Sequence, residues 1–103
     1  MEKMTQQELD KLIELHLLWL KNDSSGKKLN LTRKDLSELD FSSNNLCLSS
    51  LTARDIRYAN FEGCNLSYCD FSNSNLMGSD FCNTCCANAS FAYCNLAFSF
   101  FSK

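Results

Sequence analysis

Residues 60–81 read NFEGCNLSYCDFSNSNLMGSDF. A bulky apolar residue occupies every fifth position of this stretch, and Asn or Asp precedes each one. The bulky residues are Phe61, Leu66, Phe71, Leu76 and Phe81. An α-helix repeats about every 3.6 residues and a β-strand about every two, so a period of five fits neither. The stretch therefore predicts a structural unit five residues long.

The period of five runs from Leu31 to Phe101, and every centre is Leu, Ile or Phe except Cys86. From 59 to 99, the residue two positions before each centre is small: Ala, Ser, Thr or Cys. In extended backbone, residues two apart share a face. We therefore predict that each centre and its small neighbour point inward, while the intervening Asn or Asp points outward.

The residue two positions after each centre has to turn the chain. Several of these positions hold Gly or Asn, which tolerate the positive φ of a type II turn; they are Gly63, Asn73, Gly78, Asn83 and Asn88. Each unit is thus predicted to be a very short strand followed by a corner.

Similar centres recur 20 residues apart, as in Phe41, Phe61, Phe81 and Phe101. Four sides per coil would stack these residues in columns, with coils about 4.8 Å apart as in a parallel sheet. The chain would then make just under four coils. The predicted core is Phe41, Phe61, Phe71, Phe81, Phe91, Leu66, Leu76 and Leu96.

The N-terminal part has a different pattern. Residues 5–21 show helical periodicity, and Thr5 with Glu8 has the spacing of a capping box. We predict a helix whose face covers the first coil through Leu12, His16 and Trp19. The predicted organisation is a capping helix and loop over 1–28 and a repeat region over 29–103.

The units CNLSY, CDFSN, SNLMG and SDFCN resemble the pentapeptide-repeat family, and the resemblance covers about 29–103. It implies a mainly β protein, a right-handed quadrilateral β-helix with a short N-terminal helix over its first coil. Three residues depart from the pattern, because Lys34, Asn44 and Arg54 occupy slots where later units have small residues. We expect the first coils to be distorted there, or these side chains to reach out beside the solenoid.

The cluster Cys82, Cys85 and Cys86 raises the question of a zinc or redox site. A structural zinc site needs about four converging ligands, but the repeat phase directs these thiols to different sides, and the one histidine, His16, lies in the helix. His16 also lacks a second base or nucleophile at a suitable spacing, and there is no Gly-rich phosphate loop. We expect no metal, no cofactor, no catalytic residues and no enzymatic activity.

Two functional classes stay open: a rigid protein–protein interaction module, and a DNA mimic that modulates a type II topoisomerase such as gyrase, as some members of the resembled family do. A mimic needs a strongly acidic flank, whereas residues 31–103 hold seven acidic and five basic side chains. We therefore favour the interaction module, with a protein partner whose identity the sequence leaves open, and expect neither a membrane nor a nucleic-acid partner.

The compartment follows from cysteine usage and the N-terminal residues. The seven cysteines are an odd number, and the start, MEKMTQQELDKL, is too charged for a secretory signal. We expect free thiols in a reducing cytosol, in a bacterial or phage-type protein.

Aromatic residues mark the C-terminal stretch NLAFSFFSK. By phase, Phe101 faces inward, Phe98 lies at a corner and Phe100 faces outward. One interpretation is that Phe98 and Phe100 fold over their own core as a plug. The interpretation we favour is that Phe98, Phe100 and Phe101 meet their copies across a two-fold axis, which would make a homodimer.

Overall fold

A computed structural model describes residues 2–102. Met1 and Lys103, the outer residues of the two predicted segments, lie outside this range. Helix α1 spans Gln6–Leu20 and has the predicted capping box, in which the Thr5 hydroxyl and the Glu8 carboxylate each accept the other residue's backbone N–H. One face of α1 is buried through Leu9, Ile13 and His16. The predicted helix is therefore present.

After α1, the backbone returns beside itself every 20 residues. Parallel bridges join Asp40 to Asn60 and Asn60 to Asp80, and the same register continues from Asn30 to Phe100. Within 2–102 these are isolated bridges and no residue belongs to a β-strand. The expected very short strands are thus single bridged residues, because the chain turns again before a second consecutive bridge can form.

The corners recur every five residues and are marked by positive φ. Gly63 and Gly78 have φ of 70° and 71°, and Asn73 has φ of 66°. Side chains that seldom adopt this conformation do so here as well, including Tyr58 and Tyr68 at 57° and 59°. A turn hydrogen bond closes many of these corners, as between Cys64 N–H and Phe61 O at 3.1 Å. A 20-residue return with a corner every five residues gives each coil four sides.

Phenylalanine rings fill the interior in columns. Phe61 stacks on Phe41 and Phe81 with centroid distances of 4.5 and 5.1 Å. Phe71 stacks on Phe91 in a second column at 5.2 Å and meets Phe61 edge-on at 5.4 Å. The stacking distances are close to the spacing of paired strands, so consecutive coils bring like centres into contact.

Polar side chains satisfy the backbone of each unit. The Asn65 Oδ1 accepts the Ser67 backbone N–H at 3.0 Å, and Asn or Asp repeats this bond in most other units. The inward Ser and Cys side chains donate to a carbonyl of the previous coil, as Ser79 Oγ does to Ile56 O at 2.8 Å and Cys64 Sγ to Phe41 O at 2.9 Å. The sequence predicted where these side chains face, but not these bonds.

The N-terminal residues cover the first coil more completely than the helix alone would. Lys3 forms a parallel bridge with Asp35. The Gln6 side-chain amide then donates to Asp40 O at 2.7 Å and accepts from Asp40 N–H at 2.8 Å. The NH₂ and C=O groups of the Gln6 side chain thereby make the two hydrogen bonds that the backbone of a neighbouring strand would otherwise make with Asp40. Sequence reasoning missed this cap because a single glutamine carries no periodic signal.

The departures from the pattern are accommodated in three ways. Arg54 is exposed, and the preceding Ala53 takes the interior position with 0% exposure, so the corner is displaced by one residue. Lys34 is half-exposed and its ammonium lies 3.4 Å from the Glu2 carboxylate. The Asn44 amide donates to Phe41 O at 3.0 Å. Local distortion and outward side chains therefore both occur, as expected.

Candidate interaction surfaces

The coil formed by residues 83–102 presents an apolar end face. Phe98 is 82% exposed at a corner, and Phe100 is 59% exposed. Phe101 stacks on Phe81 at 4.8 Å, yet it remains 52% exposed. Phe98 and Phe100 therefore do not fold over the core, and the plug interpretation is wrong.

A recess opens on the same end face. It has a volume of about 380 Å³ and is lined by Phe81, Asn83, Thr84, Cys86, Phe101 and Ser102. Cys86 stands where other units have Leu, Ile or Phe, so the smaller side chain leaves this part of the interior unfilled. Phe91 and Leu96, two of the predicted core residues, are half-buried in this coil. The other predicted core residues, in the preceding coils, are buried.

The outer backbone edge of this coil is unpaired within the described range. In the coil before it, the N–H groups of Leu66 and Phe71 donate to the next coil at 2.7 and 2.9 Å. The equivalent N–H groups of Cys86 and Phe91 make no backbone hydrogen bond to any residue of 2–102. The end face thus combines exposed aromatic rings, a recess and backbone N–H donors that are unpaired within residues 2–102.

The thiols of Cys82, Cys85 and Cys86 have different hydrogen-bond partners. Cys82, Cys85 and Cys86 each approach a different hydroxyl, those of Ser102, Ser67 and Thr84 at 3.2, 3.3 and 3.2 Å. Among residues 2–102, no three His, Cys, Asp or Glu side chains are placed to hold a metal ion. The arrangement is that of separate thiols.

The environments of these thiols differ strongly. Burial raises the pKa of Cys64 to about 11 and that of Cys69 to about 12. Cys85 is exposed, and the hydrogen bond from Ser67 lowers its pKa. Thiolate is the nucleophilic form of cysteine. We therefore expect Cys85 to react readily with electrophiles.

His16 joins α1 to the solenoid. Its Nδ1 accepts the Leu29 backbone N–H at 2.9 Å, so the neutral ring carries its proton on Nε2, which donates to Cys47 O at 2.9 Å. The ring is fully buried and lies 5.6 Å from the Trp19 ring, which is half-buried like Leu12. Burial lowers the pKa of His16, and the charge of Lys28 lowers it further. Both ring nitrogens therefore make hydrogen bonds that hold α1 against the solenoid.

Acidic side chains do not form a continuous strip along the solenoid. Asp40 and Asp80 are separated by the neutral Asn60 in one column of bridged residues. In another column, Asp55 is paired with Arg57 at 2.9 Å. This distribution offers little resemblance to the evenly spaced phosphates of a DNA backbone.

A family model confirms the nature of the repeats. Residues 48–83 match the model described as Pentapeptide repeats, with 8 copies. This chain therefore contains pentapeptide repeats. The bridges continue on both sides of the matched stretch, so the repeat geometry extends beyond the residues that the family model recognises. No curated protein matches this chain.

Within the described residues, α1 falls short of the length and apolar character that a membrane-crossing helix requires.

Proposed function

We propose that this protein is a non-enzymatic protein–protein interaction module: a mainly β, right-handed quadrilateral β-helix that presents rigid surfaces to other chains. The handedness follows from the family. The observation that carries the proposal is the exposure of Phe98, Phe100 and Phe101 on one end face. Clustered exposed aromatic residues are typical of protein interfaces.

Further observations support a binding role over a catalytic one. The ring nitrogens of His16 are buried and engaged by Leu29 and Cys47, so neither nitrogen is free to transfer a proton to a substrate. The fold is also preorganised, because stacked rings and coil-to-coil hydrogen bonds hold each side in place. A rigid surface loses little conformational entropy on binding.

For the end face, we propose a second copy of the chain as one partner. Two such faces related by a two-fold axis would place aromatic rings against aromatic rings and cover the recess at Cys86, and isologous contacts of this kind are the commonest closed assemblies. The seven free thiols support a reducing compartment, and we place the protein in the cytoplasm.

Light scattering tests this proposal. We expect the wild type to have a mass near twice the 11.7 kDa of one chain, and the double variant Phe98→Asp/Phe100→Asp to be monomeric. Asp tolerates the positive φ of 59° at position 98, so loss of the dimer would reflect the surface rather than misfolding.

The matched control is Leu48→Asp/Tyr68→Asp. These side chains are 41% and 58% exposed at corners away from the end face, so the control adds the same charge at exposed apolar positions. It should remain dimeric. A wild type that stays monomeric at high micromolar concentration, or a control that dissociates equally, would refute the end-face contact.

A further inference from the structure

A second, smaller recess lies between α1 and the start of the solenoid. It has a volume of about 80 Å³ and is lined by Leu12, Leu15, Leu29 and Leu31, with Lys27, Lys28 and Asn30. Leu29 and Leu31 are buried, and the two helix leucines are half-buried. The recess therefore has apolar walls and a polar rim.

Hydrogen bonds hold the two sides of this recess together. The Lys27 backbone N–H donates to Leu15 O at 2.9 Å. Two residues further on, Leu29 N–H donates to His16 Nδ1, also at 2.9 Å. The segment that carries both rim lysines is thus fixed on α1, so the recess exists before any ligand arrives.

The two lysines of the rim have no ion-pair partner among the described residues. All four charged residues from 24 to 34 are basic, and they are Lys27, Lys28, Arg33 and Lys34. Lys34 is paired with Glu2. Lys27 and Lys28 are exposed and form no ion pair with any residue of the described range. The Lys28 ammonium lies 6.0 Å from the centroid of the Trp19 ring, which places the one tryptophan of the chain beside this rim.

We propose that this recess binds an acidic peptide segment in which one aliphatic side chain is flanked by Asp or Glu. The aliphatic side chain would enter between the leucines, and its carboxylate neighbours would meet Lys27 and Lys28. The exposed Asn30 amide could hydrogen-bond the peptide backbone. This inference rests on the proposed role as an interaction module and gives it a partner of defined chemistry.

The size of the recess favours a peptide over other anions. A volume of about 80 Å³ accommodates a few carbon atoms, as in one branched side chain, but not a long acyl chain. An inorganic anion would leave the leucine walls unoccupied. Charge complementarity and apolar burial together thus select an acidic segment with one aliphatic residue.

Titration with short blocked peptides tests the proposal. The probe is Glu-Glu-Leu-Glu-Glu, and the controls are Gln-Gln-Leu-Gln-Gln and Glu-Glu-Ser-Glu-Glu, with octanoate as the lipid-like alternative. Trp19 fluorescence reports binding to the wild type, and amide chemical shifts locate it. We expect saturable binding by the probe, shifts centred on Lys27–Leu31, and weaker binding as salt is raised.

Two double variants test whether peptide binding depends on the rim lysines or only on the total charge of the protein. Lys27→Gln/Lys28→Gln should weaken the probe about tenfold, measured by anisotropy of labelled peptide. Lys11→Gln/Lys21→Gln removes the same charge from exposed positions of the helical segment outside the recess and should bind as wild type. All four lysines are exposed, so folding should be preserved, as a thermal melt would check.

Several results would overturn the proposal: no saturable binding at millimolar peptide, equal binding of the serine control, tighter binding of octanoate, or equal loss in both lysine variants. These results are independent of the end-face test, because the recess lies at the opposite end of the solenoid. A dimer without peptide binding would refute this inference alone. A wild type that stays monomeric and binds no peptide would leave the interaction module without support.

Discussion

Removing the Phe61 ring should be among the most damaging single changes in this protein. Phe61 is 0% exposed and stacks on Phe41 and Phe81 at 4.5 and 5.1 Å, with Phe71 edge-on at 5.4 Å. It therefore supports contacts to the coils on both sides. In a solenoid, stability comes from such nearest-neighbour interfaces, so one substitution weakens two of them.

The expected size follows from these contacts. Phe61→Ala removes a fully buried ring and leaves a cavity between two rigid coils, which costs about 3–5 kcal/mol. The rigid coil spacing limits collapse of that cavity, so we expect the upper half of this range. Phe61→Leu retains most of the volume, and Leu fills the same slot at Leu66. The loss should then be about 1–2 kcal/mol, chiefly the stacking contacts.

Urea unfolding followed by circular dichroism measures these losses. The control is Asn65→Ala, which faces outward and removes one hydrogen bond to the Ser67 backbone. It should cost about 1 kcal/mol. Equal losses at Phe61 and Asn65, or a larger loss for Phe61→Leu than for Phe61→Ala, would show that the assignment of inward and outward positions is wrong.

Three further predictions concern the pH response, a corner glycine and thiol reactivity. The folded state keeps His16 neutral, so the unfolded chain binds more protons below the ordinary pKa of 6.5, and the free energy of unfolding should fall as the pH drops from 7 to 5. Gly78→Ala should destabilise more than Gly63→Ala in urea melts. Both glycines have similar positive φ, but a Cβ at 78 would lie 2.5 Å from the Tyr58 ring, whereas one at 63 meets its nearest atom at 3.5 Å. Iodoacetamide should modify Cys85 first, while the thiols buried inside the solenoid react only on unfolding, as peptide mass spectrometry would show.

Each of these has its own control. His16→Gln should flatten the pH dependence, because this is the chain's one histidine and the pKa values of Glu8 and Asp35 are lowered from an ordinary range that is already more acidic than that of histidine. An unchanged slope would contradict the assignment to His16. The excess cost of Gly78→Ala should disappear in a Tyr58→Ala background, and its persistence would place the strain elsewhere. Uniform alkylation of all thiols in the native protein would contradict the predicted burial.

Much of the fold could be predicted from the sequence because the signal is repeated. A bulky residue every five positions, with like centres 20 residues apart, predicted four-sided coils, stacked phenylalanines and the inward phase of Cys64 and Ser79. A repeated pattern states the same geometric constraint many times, so local exceptions such as Cys86 do not obscure it. The capping box of α1 was equally visible, since it depends on the local spacing of Thr5 and Glu8.

Tertiary structure alone decided the contacts at the two ends of the protein and the exposure of a few single residues. Gln6 caps Asp40 from 34 residues away, and no local pattern specifies such a contact. The exposure of Phe98 and Phe100 was also decided by the tertiary structure. A residue's position in the repeat predicts which way its side chain points, but not whether the side chain folds back over the core. The recess beside Lys27 and Lys28 exists because a helix meets a solenoid at one particular angle. Repetition determines the interior of this protein, whereas contacts between non-repeating segments determine the surfaces through which it can bind.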